Sequence, residues 1–162
     1  MKIGKETYNV NMSIELFELA KNDEEASKIL NNNGCYRQAC YFVIQAMEKY
    51  IRSHIFSVIN PELDFFIKEN SHHSLERAIE LLIDIKSSNN ISLKEQLKSQ
   101  FSNVLNLKDI KYNHLHNNLR YPRYSYKNNK GYFILEISSK DYKNLFKILE
   151  TLKNFLKDLD KL

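Results

Sequence analysis

Between Asn33 and Arg52, apolar side chains recur at Tyr36, Cys40, Val43, Met47 and Tyr50, the three-and-four spacing of a helix. Ala39, Phe42 and Ala46 widen that stripe until little but Gln38, Gln45, Lys49 and Arg52 is left to face water. A helix that is apolar around most of its girdle belongs inside a bundle, with neighbours on several sides. The rest of the chain reads as helices packing onto this one.

Upstream, Leu16, Leu19, Ala20, Ala26 and Leu30 keep a helical stripe broken only by Asp23, with Ser13 as its expected N-cap. Asn31-Asn32-Asn33-Gly34 ends that helix, because Gly and Asn tolerate the left-handed conformation of a C-terminus. So short a connection predicts an antiparallel hairpin of the first two helices. The second helix is expected to reach about Ile59 and stop before Asn60-Pro61; Phe65 and Phe66 then fall in a loop. Ser71-His72-His73-Ser74 offers caps for a third helix with Leu75, Ala78, Ile79, Leu82 and Ile85 inward. Ser92 and Glu95 form a capping box for a fourth, faced by Leu93, Leu97, Phe101, Val104 and Leu105. Ser139 caps a last helix running to about Leu159, with Tyr142, Leu145, Phe146, Leu149, Leu152, Leu156 and Leu159 inward.

From about Leu107 to Ile137 the pattern dissolves. Asn, Tyr and Lys dominate, Pro122 interrupts, and Asn129-Lys130-Gly131 marks a turn. Arg123–Tyr126 and Tyr132–Ile137 pair as a small β-hairpin in one reading and form an irregular loop in the other. The expected architecture is therefore all-α: an up-and-down bundle of about five helices, with a long basic loop between the fourth and fifth. Residues 1–162 are expected to form one domain.

Composition agrees with a folded, water-facing chain, with 43% hydrophobic and 27% charged residues and only three Gly and two Pro to serve turns. No apolar run approaches the ~20 residues needed to span a bilayer, and MKIGKETYNVNM lacks a signal-peptide core. The cytosol is the expected compartment, and no membrane partner is expected. Cys35 and Cys40 lie five apart, off a common helix face, and are expected to be small buried hydrophobes.

The net charge of +4 is modest, but its placement is informative. Residues 1–100 carry twelve basic and fourteen acidic side chains. Residues 101–130 carry Lys108, Lys111, Arg120, Arg123, Lys127 and Lys130 against Asp109 alone, and they are interleaved with Tyr112, Tyr121, Tyr124 and Tyr126. Cations among aromatic rings suit phosphate and base contacts; a solvated loop is the plain alternative.

Two histidine clusters carry candidate chemistry. His72-His73 sits at a helix start, where capping or packing is the expected role. His114 and His116 lie among Lys111, Arg120 and Tyr121. Imidazole beside cations is equipped to move protons near a phosphodiester while the cations stabilise developing negative charge. There is no Gly-rich phosphate loop, no H-E-x-x-H, no Cys–His metal framework and no nucleophile elbow, so neither metal nor cofactor is expected.

Several stretches taken in order resemble HEPN domains (higher eukaryotes and prokaryotes nucleotide-binding). They are Glu18-Leu19-Ala20-Lys21, Asp23-Glu24-Glu25-Ala26, Asn33-Gly34-Cys35-Tyr36-Arg37-Gln38-Ala39-Cys40-Tyr41 and Gln45-Ala46-Met47-Glu48-Lys49. His73-Ser74-Leu75 and Arg120-Tyr121-Pro122 are similar to the subgroup with an R-Y-P signature. The resemblance runs from about Ile14 to Leu159. It implies a helical bundle, commonly a homodimer, often encoded beside a nucleotidyltransferase. Many such domains are RNases of bacterial stress or defence systems of the toxin–antitoxin kind; others bind nucleotides or partners without known catalysis. The RNase members carry Arg followed after four to six residues by His. Here Lys stands in place of Arg, as Lys108 with His114 or Lys111 with His116, and Lys lacks the planar fork that grips phosphate.

Three functions follow. The first is a nucleotide- or RNA-binding module contacting its ligand through Lys108, Arg120, Tyr121 and Arg123. The second is a metal-independent endoribonuclease using His114, His116 and Lys111 with Arg120. The third is a dimeric scaffold or partner of a nucleotidyltransferase. Arg120-Tyr121-Pro122 also admits a structural role, with Pro fixing a turn and its neighbours bracing the loop. Gln45, Glu48, Lys49 and Arg52 read either as a solvated stripe or as the border of a dimer cleft.

Overall fold

The computed structural model describes residues 3–70, 74–126 and 130–159. Seven helices and one hairpin occur among them: α1 (Met12–Asn32), α2 (Tyr36–Phe56), α3 (Asp64–Asn70), α4 (Leu75–Ser87), α5 (Ile91–Val104), α6 (Tyr112–Arg120), β1 (Arg123–Ser125), β2 (Gly131–Phe133) and α7 (Ser139–Leu159). The all-α bundle stands, with α2 at its centre packed against α1, α4, α6 and α7. The five expected helices are α1, α2, α4, α5 and α7. The additional two lie in the stretches read as loops: α3 holds Phe65 and Phe66, and α6 opens the basic segment.

α2 is central because its girdle is almost wholly apolar. Ala39, Cys40, Val43, Ile44, Ala46, Met47, Ile51 and Ile55 are all buried, and the small Ala39 and Ala46 let neighbouring helices approach closely. Its polar stripe is less wet than its sequence suggests. Glu48 and Arg52 are about 95% buried and ion-paired one turn apart at 2.9 Å, and Lys49 reaches across to Asp23 of α1. Asp23 is thus the partner of a lysine on the neighbouring helix, not a defect in α1's stripe. The exposed-stripe expectation fails for Glu48 and Arg52 because four neighbouring helices leave α2 little outer face.

α1 and α2 form the expected antiparallel hairpin, and Gly34 takes the left-handed φ of +75° at their connection. Three caps differ from expectation by one or two residues. Asn11, not Ser13, caps α1 by accepting the Ile14 N–H; Ser13 instead exchanges hydrogen bonds with Ser53 of α2. Asn90, not Ser92, caps α5, and Ser138 with Asp141 forms the reciprocal box at the start of α7. Both Ser138 donors hold the Asp141 carboxyl below its ordinary range. Ser74 caps α4 as expected. His72 and His73 lie outside the described residues. Cys40 is buried and its thiol is pushed up to about 12 by desolvation, whereas Cys35 is exposed at the helix junction, contrary to expectation.

One buried carboxylate ties three helices together. Glu24 of α1 accepts from Tyr50 Oη of α2 at 2.9 Å, Lys153 of α7 at 2.7 Å and Lys28 at 3.0 Å. Burial alone raises its pKa, but these hydrogen bonds outweigh burial and leave the carboxyl below its ordinary value. The same residues line part of a cleft of about 790 Å³, together with Phe17, Ser53 and Leu156 among others. No helix among the described residues is long and apolar enough to cross a membrane.

Candidate nucleic-acid interface

The basic segment is organised by α6, a nine-residue helix with poor local credentials. Asn and His are weak helix formers, and its N-cap Lys111 supplies no side-chain cap. Apolar Tyr112, Leu115 and Leu119 give it an inner edge, with Tyr112 fully buried and its hydroxyl donating to Leu105 O at 2.9 Å. The remaining support comes from other helices. At the N-terminus the Asn113 N–H donates to the Glu76 carboxylate of α4 at 2.8 Å. At the C-terminus Arg37 of α2 donates to Leu119 O at 2.8 Å and Asn118 O at 3.1 Å. A carboxylate at the amino end and a guanidinium at the carboxyl end complement the helix dipole at both poles.

Arg37, Tyr41 and Gln45 stand at successive turns of α2 and together hold one face of α6. Tyr41 stacks on His116 with ring centroids 5.1 Å apart and 29° between planes. The Gln45 side-chain amide lies 3.0 Å from His116 Nε2, within hydrogen-bond reach. Arg120, one turn beyond His116, lies over the Tyr41 ring at 5.9 Å and the Tyr121 ring at 4.9 Å. Arg120 is exposed, and among the described residues no carboxylate pairs with it.

Of the expected site residues, His116, Arg120 and Tyr121 therefore come together, around Tyr41. His114 does not join them: two residues from His116, it projects from another side of α6 and is exposed. Lys108, in the turn before the helix, and Lys111, at its N-cap, are also exposed. Arg123 donates to the Asn118 side chain at 3.1 Å, tying the hairpin to the end of α6 while remaining exposed. Tyr121, ahead of Pro122, is extended as a pre-proline residue must be, and it is 55% exposed, so it does not brace the loop by burial. The hairpin reading of the segment is correct but shorter than expected, with β1 and β2 antiparallel and Tyr124 opposite Tyr132. Lys127 and the turn residue Asn129 lie outside the described residues.

Sequence reasoning missed Arg37 and Tyr41 as site residues and read Gln45 only as part of a polar stripe. Their four-residue spacing on a confidently helical segment was the available signal. What it lacked was a partner, since α6 was not foreseen. Among the described residues no three His, Cys, Asp or Glu side chains converge on a metal position. None of the expected site residues lines the 790 Å³ cleft.

An all-α bundle built on a central hairpin, with a cationic and aromatic helix–hairpin appendage before its last helix, defines the class. The HEPN domain family model matches residues 14–159, nearly the whole chain, and the chain belongs to that family. No curated protein and no solved structure matches it.

Proposed function

We propose that this HEPN domain binds RNA or a nucleotide through the surface around Arg120. The observation that carries the reading is Arg120 itself: an exposed guanidinium over two tyrosine rings, with no acidic partner among the described residues. Its planar fork of donors matches two phosphate oxygens. Lys108, Lys111 and Arg123 add positive field around it, and Tyr121 offers a ring to a base. In this reading the domain works in the cytosol as a single unit over residues 1–162 and as a homodimer. Its setting is a toxin–antitoxin-like stress or defence system beside a nucleotidyltransferase, as the family resemblance implies.

Binding to a labelled RNA, read by anisotropy across a salt series, tests this. Affinity falls steeply with salt, and Arg120→Ala weakens binding and flattens the salt slope by about one counterion. An unchanged slope in Arg120→Ala contradicts the assignment.

The second reading, metal-independent cleavage, draws on the pairing of His116 with Arg120 on one face. His116 would take the 2′-hydroxyl proton and O2′ would bond to phosphorus. The P–O5′ bond would then break, the leaving oxygen taking a proton from water and the products being a 2′,3′-cyclic phosphate and a 5′-hydroxyl. Nε2 of His116 is already engaged by Gln45, which favours binding over cleavage. Incubation of RNA in EDTA separates the two readings. Cleavage that disappears in His116→Ala and survives in His114→Ala establishes the enzyme; intact RNA throughout leaves binding.

A further inference from the structure

The β1–β2 hairpin presents a face made of tyrosine. Tyr124 and Tyr132 are cross-strand partners and so project to the same side, and Tyr126, two residues on, joins them. Ring centroids stand 5.2 Å apart for Tyr124–Tyr132 and 4.9 Å for Tyr124–Tyr126, at 78° and 64°. Yet this is not a core: Tyr126 and Tyr132 are about 80% exposed and Tyr124 41%. Arg123 and Phe133 occupy the opposite side. A two-stranded ribbon is marginal in water, and a packed face is what usually sustains it. Here the aromatic face is turned outward, while Arg123 on the other side moors the ribbon to Asn118 of α6.

We infer that this face is a stacking platform for the unpaired bases of single-stranded RNA. The inference rests on the RNA-binding reading above and specifies the form of RNA. Two features favour nucleic acid over a protein partner. The rings are all tyrosine, rigid and edge-locked to one another, which keeps their flat faces available at little entropic cost. They also stand within the strongly basic stretch of the chain, with Arg120, Arg123 and Lys130 close by in sequence to supply positive field for the backbone. In a duplex, bases have no free faces to offer, so the platform selects unpaired strands.

Anisotropy with three probes of equal length tests this: a mixed-sequence single-stranded RNA, its duplex, and a ribose–phosphate strand lacking bases. The single strand binds at least about tenfold more tightly than the other two, since each base–ring stack contributes roughly 5- to 140-fold. A Tyr124→Ser, Tyr132→Ser double variant loses that preference, and Tyr124→Phe with Tyr132→Phe keeps it. The chain contains no Trp, so quenching of tyrosine emission by stacked bases supplies an independent readout. Equal binding of the base-free strand overturns the platform but leaves phosphate binding by Arg120 standing. No binding of any probe by wild type overturns both. If the Ser variant instead dissociates an oligomer of the free protein with RNA affinity unchanged, the face is a protein contact and the inference fails.

Discussion

The α1–α2 hairpin and the α6–hairpin appendage are built by opposite means. α1 and α2 are long, carry their own apolar stripes, and end in residues that dictate their own turn. α6 is short, weak in propensity and uncapped by its own sequence. It exists because Glu76 from α4 and Arg37, Tyr41 and Gln45 from α2 grip its ends and one face. The difference separates stability from function. The core spends its polar groups on burial and pairing, whereas the appendage keeps Arg120, His114 and a row of tyrosines at the surface. Elements held by a few polar contacts open more readily than a packed core, and binding surfaces are commonly drawn from such regions.

The comparison breaks most visibly at the core. Glu48→Ala removes the buried carboxylate that pairs with the Arg52 guanidinium at 2.9 Å, and roughly 3–5 kcal/mol of stability should be lost. In a thermal melt that is a fall of about 6–20 °C; a shift under about 2 °C would show that the pair contributes little. Arg37→Ala removes two charge-assisted hydrogen bonds from the end of α6 and should cost about 1.5–3 kcal/mol locally. Hydrogen exchange checks where: amides of α6 and the hairpin lose protection while those of α2 keep theirs. Equal loss in both would mean that the appendage is no separate unit.

Glu24→Gln sharpens the same contrast through pH. The folded carboxyl titrates below its unfolded value, so its stabilisation is fully present above the unfolded pKa and disappears as pH falls through the folded one. At pH 7 the variant should be less stable by about 1–3 kcal/mol, and the gap should narrow as pH falls below the unfolded value of about 4.3. A gap that persists unchanged at pH 3 would assign the loss to packing. At the small end, Arg120→Ala should alter stability by no more than about 0.5 kcal/mol, because the side chain is exposed, while weakening RNA binding.

This contrast also explains what was legible in the sequence. Periodicity read the bundle well, because Cys40, Val43, Met47 and Tyr50, or Leu145, Leu149, Leu152 and Leu156, bury on the spacing that makes a helix. It failed at α6, where three apolar residues among Asn and His give too faint a stripe and the deciding bonds come from residues 37 to 82 positions away. The basic and aromatic composition still marked the right segment, so Arg120, Tyr121 and His116 were named while their organiser Tyr41 was not. Glu48 and Arg52 looked solvated because a sequence shows which residues share a stripe, not how many neighbours cover it. Cys35 looked buried for the converse reason: the helix starts beside it, and the junction faces water.

Amide chemical-shift mapping with a single-stranded RNA tests the central claim most directly, and a 19.3 kDa chain suits it. The account predicts shifts concentrated from Asn118 to Phe133 and at Tyr41 and Gln45, with α1 and the cleft lined by Phe17, Tyr50 and Lys153 unmoved. Shifts centred on that cleft, or none at saturating RNA, would contradict it.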